Sequence, residues 1–242
     1  MDKDMDVNFK KQIMNDYSIT YEEFEAKGNI FRLNKADDSF MFYDKKLFSA
    51  ICTGGRIFMR SENSDLIDKL RQSFKAYPGA WFAEADNIRS LYRILGEFGI
   101  EIDNFFPLMS FTDRNVLVRD FAFTRIEKED IEKFKGKTKM AFTFDEDDRL
   151  GLSYYDGKKL IALAGSSISG KYLWDIGLEK FSDESKYGGL ATSILRSLSL
   201  IIRRENPNFS PIITTQFSHT RSINTAIRAG YEMNLCLTGR EK

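Results

Sequence analysis

The sequence predicts an α+β chain, with a mixed, mostly antiparallel sheet flanked by helices and a second, smaller α/β domain in front of it. Three observations carry this. Short alternating apolar runs meet at glycine turns, at Thr53-Gly54-Gly55 and at Asp156-Gly157, as hairpins do. Longer stretches repeat apolar residues at helical spacing, as in Leu66, Ile67, Leu70 and Phe74. At 242 residues with 42% hydrophobic content, the chain is long enough for one large core or two modest ones.

A polar, helical lead-in precedes the first hairpin, Ser39 to Arg60. Asn63 or Ser64 then caps a helix whose apolar stripe ends at Tyr77, stopped by Pro78-Gly79. Ala80 to Ala85 reads as a strand, and Asp86 as the cap of a second helix carrying Ile88, Leu91, Tyr92, Leu95 and Phe98 and closed by Gly99. Phe105 to Phe111 reads as a strand. The polar stretch Thr112-Asp113-Arg114-Asn115 is the expected boundary, giving domains 1–115 and 116–242.

In the second domain the expected order is strand (Val116 to Ile126), helix (Glu127 to Phe134), then strands at Thr138 to Asp145, Leu150 to Asp156, Lys159 to Ser166 and Lys171 to Phe181. A long helix runs from Leu190 to about Arg204 with Ile194, Leu198, Ile201 and Ile202 inward. Strand Ile212 to Phe217, helix Arg221 to Ala229 and a strand from Tyr231 complete it.

Composition narrows the function. Lysine plus arginine and aspartate plus glutamate both total 36, so no net field draws the chain to nucleic acid or an anionic membrane. A single histidine, His219, leaves no histidine-rich metal site and no metal is expected. Cys52 and Cys236 read as buried free thiols. No apolar run approaches the ~20 residues that span a bilayer, so the expected location is the cytoplasm.

The stretch Lys186-Tyr187-Gly188-Gly189-Leu190-Ala191-Thr192 lies between an expected strand and a helix, where several backbone N–H groups converge. Glycines there let phosphate oxygens reach the main chain, and Thr192 can add a hydroxyl, so the geometry suits a pyrophosphate. Downstream, His219, Ser222, Ala226, Gly230 and Tyr231 keep a second set of spacings.

Residues 116 to 242 resemble the GNAT acetyltransferase superfamily in both motifs. Lys186, Gly189 and Ala191 fall on its Gln/Arg-x-x-Gly-x-Gly/Ala loop, and His219, Ser222, Ala226, Gly230 and Tyr231 on its Asn, Ser, Ala and Gly-aromatic positions. The resemblance implies a three-layer α/β/α fold, acetyl-CoA as cofactor, and direct transfer of the acetyl group to a primary amine of a small molecule. It implies cofactor contacts from Ile176, Gly177 and Leu178 on a splayed strand, from the loop Lys186 to Thr192, and from His219 and Ser222. Asp175 is then the first choice of general base and Glu179 the second. Ala226 stands where many members carry a tyrosine acid, which leaves Tyr231 or Tyr187 as proton donor; packing is the plainer reading of both.

The short segment Glu127 to Lys137 leaves the acceptor site to be walled by something else, for which the first domain is available; a degenerate GNAT-like half formed by duplication is one option for that domain, beside a plain accessory α/β unit. The acidic run Asp145-Glu146-Asp147-Asp148 reads as a solvated turn. Ala226 and His219 keep open a non-catalytic acyl-CoA-binding or protein-interaction module, and aminoacyl transfer from tRNA is a remoter option that balanced charge counts against. Oligomeric state is not encoded, a homodimer being one option.

Overall fold

The computed structural model describes residues 5–112 and 114–242. They form two compact units, one of Met1–Leu108 with Asn234–Lys242 and one of Met109–Met233. The boundary expected after Asn115 includes Asp113, which lies outside the described residues. The division falls earlier, and the last nine residues join the first unit, because the final strand is long enough for its second half to pair there.

The first unit opens with α1 (Val7–Asp16) and α2 (Tyr21–Glu25), the latter held by a capping box between Thr20 and Glu23. Its strands are β1 (Ile30–Leu33), β2 (Phe48–Thr53), β3 (Arg56–Ser61), the long β4 (Ile100–Phe111) and the final β10 (Tyr231–Glu241). The sheet order is β1-β3-β2-β10-β4. The expected hairpin is β2–β3, turning at Gly54-Gly55, but Phe42–Asp44 is a 3-10 turn instead of a strand. Helices α3 (Ser64–Phe74) and α4 (Ala85–Glu97) bury Leu66, Ile67, Leu70, Phe74, Leu91 and Leu95 in one core with β2 and β3. Asn63 caps α3 through Leu66 N. Asp86 is no cap: Glu84 holds that position without a side-chain bond, and Asp86 sits in the first turn.

Ala80 to Ala85 is not a strand. Gly79 is wedged against the main chain of Gly55 and Arg56, so the segment crosses the hairpin turn as a 3-10 turn (Gly79–Trp81) and feeds directly into α4.

The second unit continues with β5 (Thr124–Ile126), β6 (Asp148–Asp156), β7 (Lys159–Ile168), β8 (Leu173–Lys180) and β9 (Ser210–Thr214), in the order β10-β4-β9-β8-β7-β6-β5. Helices α5 (Leu190–Glu205) and α6 (Thr220–Ala229) share one core cluster with its strands. Pairing is antiparallel from β5 to β8 and parallel between β8 and β9. The result is a mixed sheet flanked by helices.

One expected strand is shorter and another is absent. Of Val116 to Ile126 only the last three residues pair, with β6. The alternation there places Phe121 and Phe123 against Tyr154 and the core while Leu117 stays fully exposed, so the aromatic residues dock without a ladder. Thr138 to Asp145 is an irregular strap. Its amides are taken by side chains: Lys139 N donates to Glu179 (2.8 Å), Ala141 N to Thr138 Oγ1 (3.0 Å), and Thr143 N and Phe144 N to Asp148 (3.2 and 2.7 Å). A backbone whose donors are met by carboxylates has no need of a neighbouring strand. Asp148 is accordingly buried and is not part of a solvated acidic turn.

The strap lies on a row of three glycines that are in register across β6, β7 and β8: Gly151 opposite Gly165, and Gly165 opposite Gly177. A Cβ at Gly177 would sit 1.7 Å from Met140 O, and one at Gly165 would sit 2.1 Å from Ala141 O. Only glycine permits that approach.

Candidate functional site at the fork between two parallel strands

The parallel ladder of β8 and β9 runs Leu173 with Ser210, Trp174 with Pro211 and Asp175 with Ile212, and ends there. On its other side β8 stays paired to β7 as far as Lys180. From Ile176 onward, therefore, one edge of β8 is released from its parallel neighbour while the strand itself stays fixed. Crevices at the carboxyl ends of parallel strands are where open sheets bind ligands, since main-chain groups there are unpaired and aimed outward. Ile176, Gly177 and Leu178 all fall in the released stretch.

Beyond β8 the chain forms a 3-10 turn (Ser185–Tyr187) and enters α5 through Gly188 and Gly189. Gly189 has φ +86°, a left-handed conformation that costs a side-chain-bearing residue about 1–2 kcal/mol. It is the N-cap of α5 but offers no side-chain acceptor, and the first turn, Leu190, Ala191 and Thr192, contains no acidic residue. The leading N–H groups thus keep their partial positive charge without an internal anion to absorb it.

Arg119, which belongs to neither sequence motif, holds this loop. Its Nη1 donates to Gly188 O (2.7 Å) and Lys186 O (3.3 Å), and its aliphatic stem lies beside the Cα of Gly189. Its guanidinium also stands 5.0 Å from the ring of Phe121. Through these bonds the side chain ties down the loop at Gly188 and sets a cation beside Gly189. In the sequence it is only an arginine within the alternating run Val116 to Ile126.

Lys186 and Tyr187 both turn to Asp156, with Lys186 Nζ at 2.7 Å and Tyr187 OH at 2.6 Å from the same oxygen. These two bonds hold the Asp156 carboxyl below its ordinary range and push the lysine up, Asp156 being the main cause for the lysine. Lys186 thus stays charged and paired with Asp156 at the surface, and Tyr187, buried with its ring in the α5 core, anchors the loop.

At α6, His219 is the N-cap residue; it is exposed, its Nδ1 lies 3.4 Å from Thr215 Oγ1, and its carbonyl accepts from Ser222 N (3.0 Å). Ser222 is half-buried in the first turn. Arg221 reaches Asp183 at 3.4 Å, which ties the start of α6 to the loop that precedes α5. The two sequence motifs are thus brought to one region. Ala226 is buried, and Gly230, at φ +100°, ends the helix where a Cβ would lie 2.8 Å from Arg196 Nη1.

The three candidate proton-transfer residues fare differently. Asp175 is the last residue of the parallel ladder, at the fork itself, and half-buried. Glu179 accepts from Thr138 Oγ1 (2.7 Å) as well as from Lys139 N, which makes it the anchor of the strap. Tyr231 is buried with its hydroxyl bonded to Ser199 of α5; burial raises its pKa, with a smaller push from the Asp175 charge. Among the described residues, no cluster of His, Cys, Asp or Glu could hold a metal ion, and no helix is long and apolar enough to cross a membrane. Cys52 and Cys236 are buried and free, and burial pushes the Cys52 thiol up to about 12.

No family model and no curated protein matches this chain. Among solved structures it is similar to a GNAT-family acetyltransferase from Colwellia psychrerythraea (TM-score 0.44, 10% identity, 59% of this chain and 57% of that one). It is also similar to a GCN5-related N-acetyltransferase from Kribbella flavida (TM-score 0.42, 18% identity, 63% and 64%). A third similarity, to a GCN5-related N-acetyltransferase-like protein from Streptococcus suis 89/1591, covers 90% of both chains at 13% identity and a TM-score of 0.39.

Proposed function

We propose that the second unit binds acetyl-CoA at the head of α5 and along the released edge of β8, and transfers the acetyl group directly to a primary amine of a small molecule, acting in the cytoplasm. The observation that carries this reading is the fork: β8 leaves β9 after Asp175 and leads within a few residues into an uncapped helix start behind a left-handed glycine. The residues fit the cofactor. The N–H groups of Leu190, Ala191 and Thr192 would face its diphosphate, Arg119 would add positive charge beside it, and the main chain of Ile176 to Leu178 would line its arm.

When bound, the cofactor supplies an activated acyl thioester. An amine is mostly protonated near neutral pH, so the protein must take a proton from it. In this reading Asp175, the last residue of the parallel ladder, takes that role, and Glu179 holds the strap. Tyr231 is enclosed in the core and bonded to Ser199, so it is a packing residue in this reading.

That enclosure, together with Ala226, favours a second reading, a module that binds acyl-CoA without turnover. Thermal-shift titration with acetyl-CoA followed by a thiol-release assay over an amine panel separates the two. Binding with acceptor-dependent thiol release supports the enzyme, and binding alone supports the module. An unchanged melting temperature at saturating cofactor removes both. Gly189→Glu, which adds bulk and negative charge at the helix start, is expected to abolish the cofactor-induced shift in a folded protein.

A further inference from the structure

The first unit carries a cleft of about 330 Å³ at the start of β1, between the end of α2 and the end of α3. Five basic residues line it, Lys27, Arg32, Arg56, Arg71 and Lys75, against one acidic residue, Glu23. In a chain with equal numbers of basic and acidic residues, such a ratio is a local arrangement and not an effect of composition. We propose that this cleft is a binding site for a compact multivalent anion, a phosphorylated or polycarboxylate small molecule.

The cations divide by what already holds them. Arg32 pairs with Glu23, and Arg71 with Asp68. Arg56 spends its guanidinium on the carbonyls of Gly28 (2.7 Å), Phe24 and Glu23, and stands 4.8 Å from the ring of Phe58. It is half-buried, and these carbonyls hold its positive charge in place against the cleft. Lys27 and Lys75 are exposed at the rim and, among the described residues, pair with no carboxylate. An anion entering here meets one half-buried guanidinium fixed by backbone carbonyls and two exposed ammonium groups, while Glu23 is paired with Arg32.

The walls are preorganised. Asn29 donates to Phe74 O (2.8 Å) and Tyr77 O (2.7 Å) and accepts from Ile57 N (2.9 Å), locking the end of α3 and the start of β3 to β1. Gly28, at φ +105°, has nothing within 4 Å of the position a Cβ would take, so the main chain there is open to a ligand oxygen. The volume falls in the range of small-molecule sites, roughly 300–1,000 Å³.

Isothermal titration of the full chain with inorganic pyrophosphate and with citrate, each at an ionic strength matched by sodium chloride, tests this. Saturable binding of at least one probe above the chloride background is expected, weakened roughly tenfold or more in Lys27→Glu/Lys75→Glu. The same affinity should persist in Gly189→Glu, which separates this cleft from the head of α5. A preference for pyrophosphate assigns phosphate chemistry, and one for citrate assigns carboxylate chemistry. Lys27→Gln/Lys75→Gln serves if charge reversal disturbs folding. Absence of saturable binding by either probe, or binding unchanged in both lysine variants, would overturn the proposal.

Discussion

Replacing Gly177 with alanine is the sharpest test of how the second unit is built. The new Cβ would lie 1.7 Å from Met140 O and 2.7 Å from Met140 C, so the strap has to retreat by more than an ångström. Its attachments are close by, the bonds from Thr138 Oγ1 and Lys139 N to Glu179 at 2.7 and 2.8 Å. Each such bond is worth about 1 kcal/mol net, and forcing a methyl into a packed contact costs about 1–3 kcal/mol. We expect Gly177→Ala to lose about 3 kcal/mol, allowing for partial relaxation of the strap.

Of the two tryptophans, Trp174 is in the second unit and Trp81 in the first, so urea unfolding followed by fluorescence in a Trp81→Phe background reports on the second unit. Gly157→Ala is the control: its φ of +60° is strained but nothing lies within 4 Å, and a loss of about 1 kcal/mol is expected. Equal losses in the two variants would refute the claim that the strap rests on the glycine row. A second check is Gly165→Ala with Phe142→Ala, since a Cβ at Gly165 meets Phe142 Cε1 at 2.3 Å; the pair should cost less than the sum of its parts.

Further outcomes follow from the same geometry. Arg119→Met should reduce the acetyl-CoA-induced rise in melting temperature while leaving the unliganded value nearly unchanged, because it removes a cation and two loop bonds from an exposed site. Tyr231→Phe should destabilise the protein by about 1 kcal/mol through loss of the bond to Ser199, yet leave the cofactor-induced shift intact. Asp16 is buried, and burial first and the neighbouring Asp44 second push its carboxyl well above the ordinary range. A raised carboxyl stabilises the fold below its unfolded pKa of ~3.9 and loses that contribution as pH rises through the folded value. Wild type should therefore lose stability relative to Asp16→Asn as pH climbs from 4 towards neutrality, measured as the difference between their urea midpoints; a flat difference would contradict a protonated Asp16.

Some of this protein is legible in its sequence. Periodicity placed α3, α4, α5 and α6 because each has one buried face and a local stop, and glycine turns placed the β2–β3 and β6–β7 hairpins because two residues fix the register. The loop at Gly188-Gly189 is legible because a left-handed residue before a helix favours glycine, as Gly189 at φ +86° shows.

What needed the tertiary structure was every feature whose partner is remote in the chain. Alternation in Val116 to Phe123 and in Thr138 to Asp145 reports apolar burial, and burial under aromatic rings or across a glycine row produces the same pattern as a strand. That Glu179 accepts from Thr138, forty-one residues away, and that the Tyr231 hydroxyl bonds Ser199 are contacts no local spacing encodes. Arg119 was invisible because its ligands are the carbonyls of Lys186 and Gly188, which any sequence would supply. A sequence specifies the conformations that neighbouring residues impose on one another; which distant group takes up a side chain's hydrogen bond is decided only once the chain has closed on itself.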